Sequence, residues 1–263
     1  MAGVTAEDAA RRPLIGTSWK MNLTSSEADA WLREAVPLVR GLADRDLFVL
    51  PSYPAIWVAR RELMGTGVAW GAQDVHPDDQ GAHTGDVSAA MLADLGCTYV
   101  EIGHSERRYG YGETDALVAA KVAAALRWGL TPILCVGERE LWGIATATSA
   151  VLRHVKGSIG NLSPADLDRI VVAYEPHWAI GIGAHAAPLD HIAAIHDAIR
   201  RWLGAGGAGV TRVIYGGSID ADNARGILGT PGVDGLFVGR AALDPRVFAA
   251  IARTSVGVSA AIG

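Results

Sequence analysis

A closed barrel of eight parallel strands with eight intervening helices, a single-domain α/β barrel of the (β/α)8 kind, is the fold class this sequence predicts. Three observations predict it. The chain has 263 residues, close to the roughly 250 that such a barrel uses. Eight short runs rich in Val, Ile, Leu and aromatic residues recur along it. Most of them lack strict polar alternation, as parallel strands covered on both faces do. Helical patterns separate the runs, and parallel strands require crossovers of that kind. A doubly wound open sheet is the competing arrangement. No G-x-G-x-x-G follows the first run and no G-x-x-x-x-G-K-[ST] occurs anywhere, so neither nucleotide-binding fingerprint supports the open sheet.

The strands are read, in order, at 14–21, 47–51, 68–73, 99–103, 132–136, 170–175, 213–216 and 235–238. One helix opens at Ser25-Ser26-Glu27 and repeats Ala28, Trp31, Leu32, Ala35, Val39 and Leu42 at helical spacing. Thr114 caps another, which carries Val118, Val122, Ala125 and Leu126 to Trp128 and stops at Gly129. A third begins near Pro188 and carries Ile192, Ile195, Ile199, Trp202 and Leu203 into the glycines at 204, 206 and 207. The barrel is expected over 13–254, between a mobile extension at 1–12 and a small-residue tail at 255–263.

Composition narrows the function classes. Half the residues are hydrophobic and 19% are charged, which fits a globular core. With 23 Lys+Arg against 28 Asp+Glu, a net charge of -5 and no basic stretch, a nucleic-acid partner is not expected. Cys97 and Cys135 form neither a C-x-x-C motif nor a disulfide framework. The first dozen residues hold no apolar leader core and no segment has the ~18 apolar residues of a membrane span. The expectation is a soluble cytoplasmic protein without membrane contact.

In a barrel of this kind the site lies at the C-terminal ends of the strands, and several strands supply polar residues there. Lys20 stands in an otherwise apolar run, where an unpaired ammonium is costly. Either its charge acts on a ligand or it sits in a structural ion pair, Glu106 being the candidate partner. His104 follows a glycine at the end of strand four and is either hydrogen-bonded scaffolding or a catalyst. Glu175 follows apolar residues and precedes Pro176, a position for a base with a raised pKa or for a salt bridge at the barrel mouth. Gly181-Ile182-Gly183, Gly216-Gly217-Ser218 and Gly239 are turns whose amides can approach an anion, and the loops after strands seven and eight often bind phosphate.

Taken together, Trp19-Lys20-Met21-Asn22, Gly103-His104-Ser105-Glu106-Arg107-Arg108, Cys135-Val136-Gly137-Glu138, Ala173-Tyr174-Glu175-Pro176, Trp178-Ala179-Ile180-Gly181, Tyr215-Gly216-Gly217-Ser218 and Asp234-Gly235-Leu236-Phe237-Val238-Gly239 resemble the triosephosphate isomerase family over about residues 13–254. That resemblance implies a cofactor-free and metal-free isomerase of small phosphorylated sugars. It assigns Glu175 as the general base, His104 as the neutral electrophile, Lys20 as the cation for phosphate and enediolate, and Glu106 as the residue holding Lys20. Gly181, Ser218, Gly239 and Arg240 would bind phosphate. The segment 178–186, entered through Pro176 and including Trp178, Ala179, Ile180 and Gly183, would be the lid. The loop 74–86 is similar to the family's dimer loop, so Thr84 would enter a partner's site in a homodimer; a plain surface loop is the other reading.

Three departures stand out. Ser18 occupies the position that is normally asparagine, Gly239-Arg240 replaces a pair of glycines, and the lid reads Gly181-Ile182-Gly183-Ala184-His185-Ala186 in place of Gly-Thr-Gly-Lys-Thr-Ala. The first two together resemble the erythrulose-phosphate isomerase branch. Serine leaves the reacting end of the pocket larger by roughly a hydroxymethyl group, the group by which L-erythrulose 1-phosphate exceeds dihydroxyacetone phosphate. The expected reaction is L-erythrulose 1-phosphate to D-erythrulose 4-phosphate, with the triose reaction as the alternative. A non-catalytic phosphosugar-binding barrel is the remote alternative, which the presence of Lys20, His104 and Glu175 opposes.

Overall fold

The structure is a computed structural model that describes residues 12–181 and 183–255. Eight parallel strands close a barrel in chain order: β1 (Leu14–Ser18), β2 (Asp46–Leu50), β3 (Val68–Ala72), β4 (Tyr99–Ile102), β5 (Thr131–Val136), β6 (Val171–Tyr174), β7 (Arg212–Tyr215) and β8 (Gly235–Val238). Closure runs through the pairing of Leu14 with Gly235 and of Thr17 with Val238.

Helices fill every crossover. They are α1 (Ser25–Val39), α2 (Ile56–Leu63), α3 (Ala89–Asp94), α4 (Ser105–Gly110), α5 (Asp115–Arg127), α6 (Ile144–Ile159), α7 (Pro164–Leu167), α8 (Leu189–Ala205), α9 (Ala224–Leu228) and α10 (Pro245–Ala252). Their ends follow local chemistry. Thr24 caps α1 in a reciprocal capping box with Glu27. Thr114 caps α5 by accepting from the Leu117 amide, and Gly129 turns away at φ 74°. In α8 the first of the expected stop glycines, Gly204, is still helical and the cap is Gly206.

Apolar residues form two layers. Leu14, Phe48, Leu50, Ile133, Val171, Ile214 and Phe237 fill the barrel interior. Gly16 makes room for one of them, since a Cβ there would lie 2.3 Å from the Phe48 ring. The larger layer lies between barrel and helices and takes the α1 face Ala28, Trp31, Leu32 and Ala35.

The first strand is shorter than its apolar run suggests. It ends at Ser18 because Lys20 at φ 55° and Leu23 at φ 63° break extended geometry, and Met21 is 98% exposed. Lys20 therefore stands in a turn above the barrel mouth and not within the strand. Arg12, assigned from sequence to the mobile extension, is tied to Asp46 and to the Ala43 carbonyl. The rest of that extension, residue 182 and the tail from 256 lie outside the described residues. Among the described residues no helix is long and apolar enough to cross a membrane.

Candidate active site

The strand ends gather polar residues around a cavity of about 630 Å³. Ser18, Lys20, His104, Glu106, Glu175, Ile180, Gly181, Gly183, Ser218, Gly239 and Arg240 all line it.

Lys20 owes its position to a left-handed turn beyond β1. Gln73, at the end of β3, donates to both the Lys20 and the Leu50 carbonyls at 3.0 Å and holds that turn. The ammonium reaches Glu106 Oε1 at 2.6 Å. Burial alone would lower its pKa, but the Glu106 hydrogen bond and the charges of Glu175, Glu106 and Glu101 outweigh burial and raise it. At Glu106 burial raises the carboxyl pKa, but the Lys20 hydrogen bond together with the charges of His104, Lys20 and His177 outweighs it and lowers the pKa. The two readings of Lys20 thus coexist: it is paired with Glu106 and it faces the cavity.

His104 caps α4, and its Nδ1 accepts the Glu106 amide at 3.1 Å. Burial works against an imidazolium there, while the carboxylates of Glu175 and Glu101 work for it and raise the pKa overall. The amide donation requires a lone pair on Nδ1, which selects the tautomer with its proton on Nε2. Nε2 lies 3.1 Å from Glu175 Oε2.

Glu175 follows β6 and is 5% exposed. Two glycines make its place. A Cβ on Gly137 would lie 1.9 Å from the Glu175 carbonyl oxygen, and one on Gly216 would lie 2.5 Å from Oε1. Gly217 similarly makes way for the Tyr215 hydroxyl, 2.5 Å from its would-be Cβ. The first two glycines of the strand-seven turn therefore accommodate side chains, and Ser218, at φ 24°, lines the cavity beside Gly216. The amides of Gly181, Ser218 and Gly239 donate to no other group among the described residues, and all three residues line the cavity, which leaves three donors available to an anion there. Arg240 opens a 3-10 turn at the rim, exposed and without an ion pair among the described residues.

Pro176 precedes a 3-10 turn at His177–Ala179 that begins the segment expected to be a lid. Its two roots are pinned. Trp178 donates to Glu138 Oε1 at 2.8 Å, and the Ala187 amide donates to the Tyr215 hydroxyl at 2.9 Å. Glu138 also accepts from Tyr174 at 3.0 Å and pairs with His191 at 3.2 Å. Thr84 is exposed in its loop and lines no part of this cavity.

Among the cavity-lining residues that sequence reading did not single out, one is a buried carboxylate. Glu101, in β4, is 3% exposed, and its carboxylate lies within 4.8 Å of ring and carboxylate atoms of His104 and Glu175. Burial pushes its pKa up to about 7, with Glu175 adding to the rise and His104, Ser18 and Lys20 opposing it. The signal was available, since a carboxylate inside the apolar run Tyr99-Val100-Glu101-Ile102 meets the same burial argument that singled out Lys20.

The triosephosphate isomerase family profile matches residues 13–255. The chain is 46% identical over 248 residues to the triosephosphate isomerase of Thermus thermophilus, covering 92% of this chain and 98% of that one. It is 40% identical over 244 residues to that of Aquifex aeolicus, covering 91% and 98%. The crystal structure of triosephosphate isomerase from Bartonella henselae superposes with a TM-score of 0.78 at 34% identity, covering 91% of this chain and 97% of that one. On the barrel, the site and these likenesses, the chain belongs to the triosephosphate isomerase family of isomerases, which act on small phosphorylated sugars.

Proposed function

We propose that this chain interconverts L-erythrulose 1-phosphate and D-erythrulose 4-phosphate through an enediolate. The observation that carries the four-carbon reading is Ser18. Its Oγ is buried in the cavity wall without a hydrogen bond of normal geometry, beside the equally buried Glu101 carboxylate. A polar receptor of that kind suits a hydroxymethyl group on the reacting carbon better than a hydrogen atom. The triose reaction is the second reading, favoured by relatives named triosephosphate isomerase.

The chemistry is common to both. Glu175 takes the proton from C3 and returns it to C2, and the ketone moves from C2 to C3. His104, with its Nε2 proton, polarises the carbonyl and passes the proton between the two oxygens. Lys20 stabilises the developing negative charge, held at its place by Glu106. Atoms and electrons balance within the substrate, so the step calls for no cofactor or metal. The amides of Gly181, Ser218 and Gly239, with the Arg240 guanidinium, hold the phosphate. The segment from Pro176 through Trp178, Ala179, Ile180 and Gly183 closes over it and excludes water, a closure for which this family is itself a stock example. The working unit is a cytoplasmic homodimer in which Thr84 completes the partner's site, and the isomerase barrel is the whole of 13–254.

Incubation with L-erythrulose 1-phosphate in D2O, followed by NMR, tests this reading. Deuterium is expected at C3 of recovered substrate and at C3 of D-erythrulose 4-phosphate, the carbon that was C2 of the substrate, and Glu175→Gln is expected to abolish it. Undiminished exchange in that variant, or none with either ketose phosphate in the native enzyme, would contradict the mechanism.

A further inference from the structure

Glu101 is a buried carboxylate that the proton shuttle does not use. No ion pair reaches it among the described residues; the Ser18 hydroxyl is its hydrogen-bonding neighbour and lowers its pKa against burial, and the Cys135 thiol, a weak donor, lies 3.9 Å from Oε1. That hydroxyl is itself without a hydrogen bond of normal geometry. A carboxylate and a hydroxyl with so few partners in a buried wall cost stability unless a ligand adds to their hydrogen bonds. Their placement in the cavity, near His104 and Glu175, sets them where the reacting carbon's substituent must lie.

We propose that Glu101 is a specificity-determining residue of this pocket, which with Ser18 hydrogen-bonds the terminal hydroxyl of a four-carbon ketose phosphate. This rests on the four-carbon reading above. It also accounts for how a carboxyl so near the enediolate is tolerated. Burial favours the protonated acid, which offers the hydroxyl an acceptor oxygen without a full negative charge beside the intermediate. A three-carbon substrate has no such hydroxyl and leaves the pair unmatched. A site built to hydrogen-bond a hydroxyl discriminates against the analogue that lacks it.

The test compares kcat/KM for L-erythrulose 1-phosphate and dihydroxyacetone phosphate in the native enzyme, Glu101→Gln and Glu101→Met, with folding checked by circular dichroism. In Glu101→Met the tetrulose value is expected to fall about ten- to a hundredfold further than the triose value, chiefly through KM. Glu101→Gln keeps an acceptor oxygen and is expected to lose less. If only Glu101→Gln folds, a severalfold loss of preference supports the proposal and an unchanged ratio overturns it. Parallel losses for both substrates would make Glu101 structural and overturn it too. A native enzyme without tetrulose preference would overturn the four-carbon reading itself, whereas a preference that survives Glu101→Met would overturn only the role of Glu101.

Discussion

Replacing Glu101 with glutamine removes one titration from the folded state and should change how stability depends on pH. In the folded chain this carboxyl is raised from 4.5 to about 7, chiefly by burial. At about 1.4 kcal/mol per unit, ionising it in place costs about 3 kcal/mol. Below the unfolded value both states hold the proton and nothing is lost. As pH rises from about 4.5 to about 7 the unfolded chain ionises first, and the native protein loses stability on this account by about 1.4 kcal/mol per unit. Above about 7 the loss is complete. Glutamine of the same shape does not ionise, so Glu101→Gln should gain relative to the native protein across that window and hold a lead of about 3 kcal/mol at pH 8. The groups facing Glu101 are Lys20 beyond β1, His104 beyond β4, Cys135 in β5 and Glu175 beyond β6. They titrate in both proteins, and only the part of their contribution that does not depend on the Glu101 charge, which raises Lys20 and His104, cancels in the difference. Urea unfolding at pH 5, 6, 7 and 8, at one protein concentration, measures it. A difference that does not grow with pH, or that favours the native protein at pH 8, would refute the reasoning.

Other perturbations probe the rest of the site. Glu175→Asp draws the base back by about 1 Å, which should lower kcat about a hundredfold with KM little changed in steady-state assays. Gly216→Ala would put a Cβ 2.5 Å from Glu175 Oε1; kcat should fall about tenfold or more with the barrel intact by circular dichroism. Trp178→Phe deletes the 2.8 Å donor to Glu138. It should lower stability by about 1.5–3 kcal/mol in thermal unfolding and shift kcat and KM together, as loosening a lid root does. Ser18→Asn should move the kcat/KM ratio toward the triose by about tenfold.

Much of this molecule can be read directly from its sequence. Parallel strands buried on both faces leave apolar runs, and Thr24, Thr114 and Gly129 mark helix ends, so element order and the barrel follow without coordinates. Lys20, His104 and Glu175 were legible because polar groups at the ends of apolar strands are costly without a purpose. What escaped depends on contacts across the barrel. Where β1 ends is set by left-handed turns at Lys20 and Leu23, which an apolar pattern does not reveal. Gln73 fixes the Lys20 turn from two strands away. The glycines at 216 and 217 look like an anion loop in sequence and serve as clearance for Glu175 and Tyr215 in space. Glu101 escaped because it sits inside a strand and not at its end, and its packing beside Ser18, His104 and Glu175 in the cavity wall shows which way it faces.

Substrate choice is tested most directly by kcat/KM for L-erythrulose 1-phosphate and for dihydroxyacetone phosphate, measured side by side on the native protein. A preference for the tetrulose of roughly a hundredfold or more, the scale of discrimination by one polar group, is the predicted result. An equal or greater value for the triose would contradict the four-carbon assignment, and Ser18 and Arg240 would then mark no change in substrate.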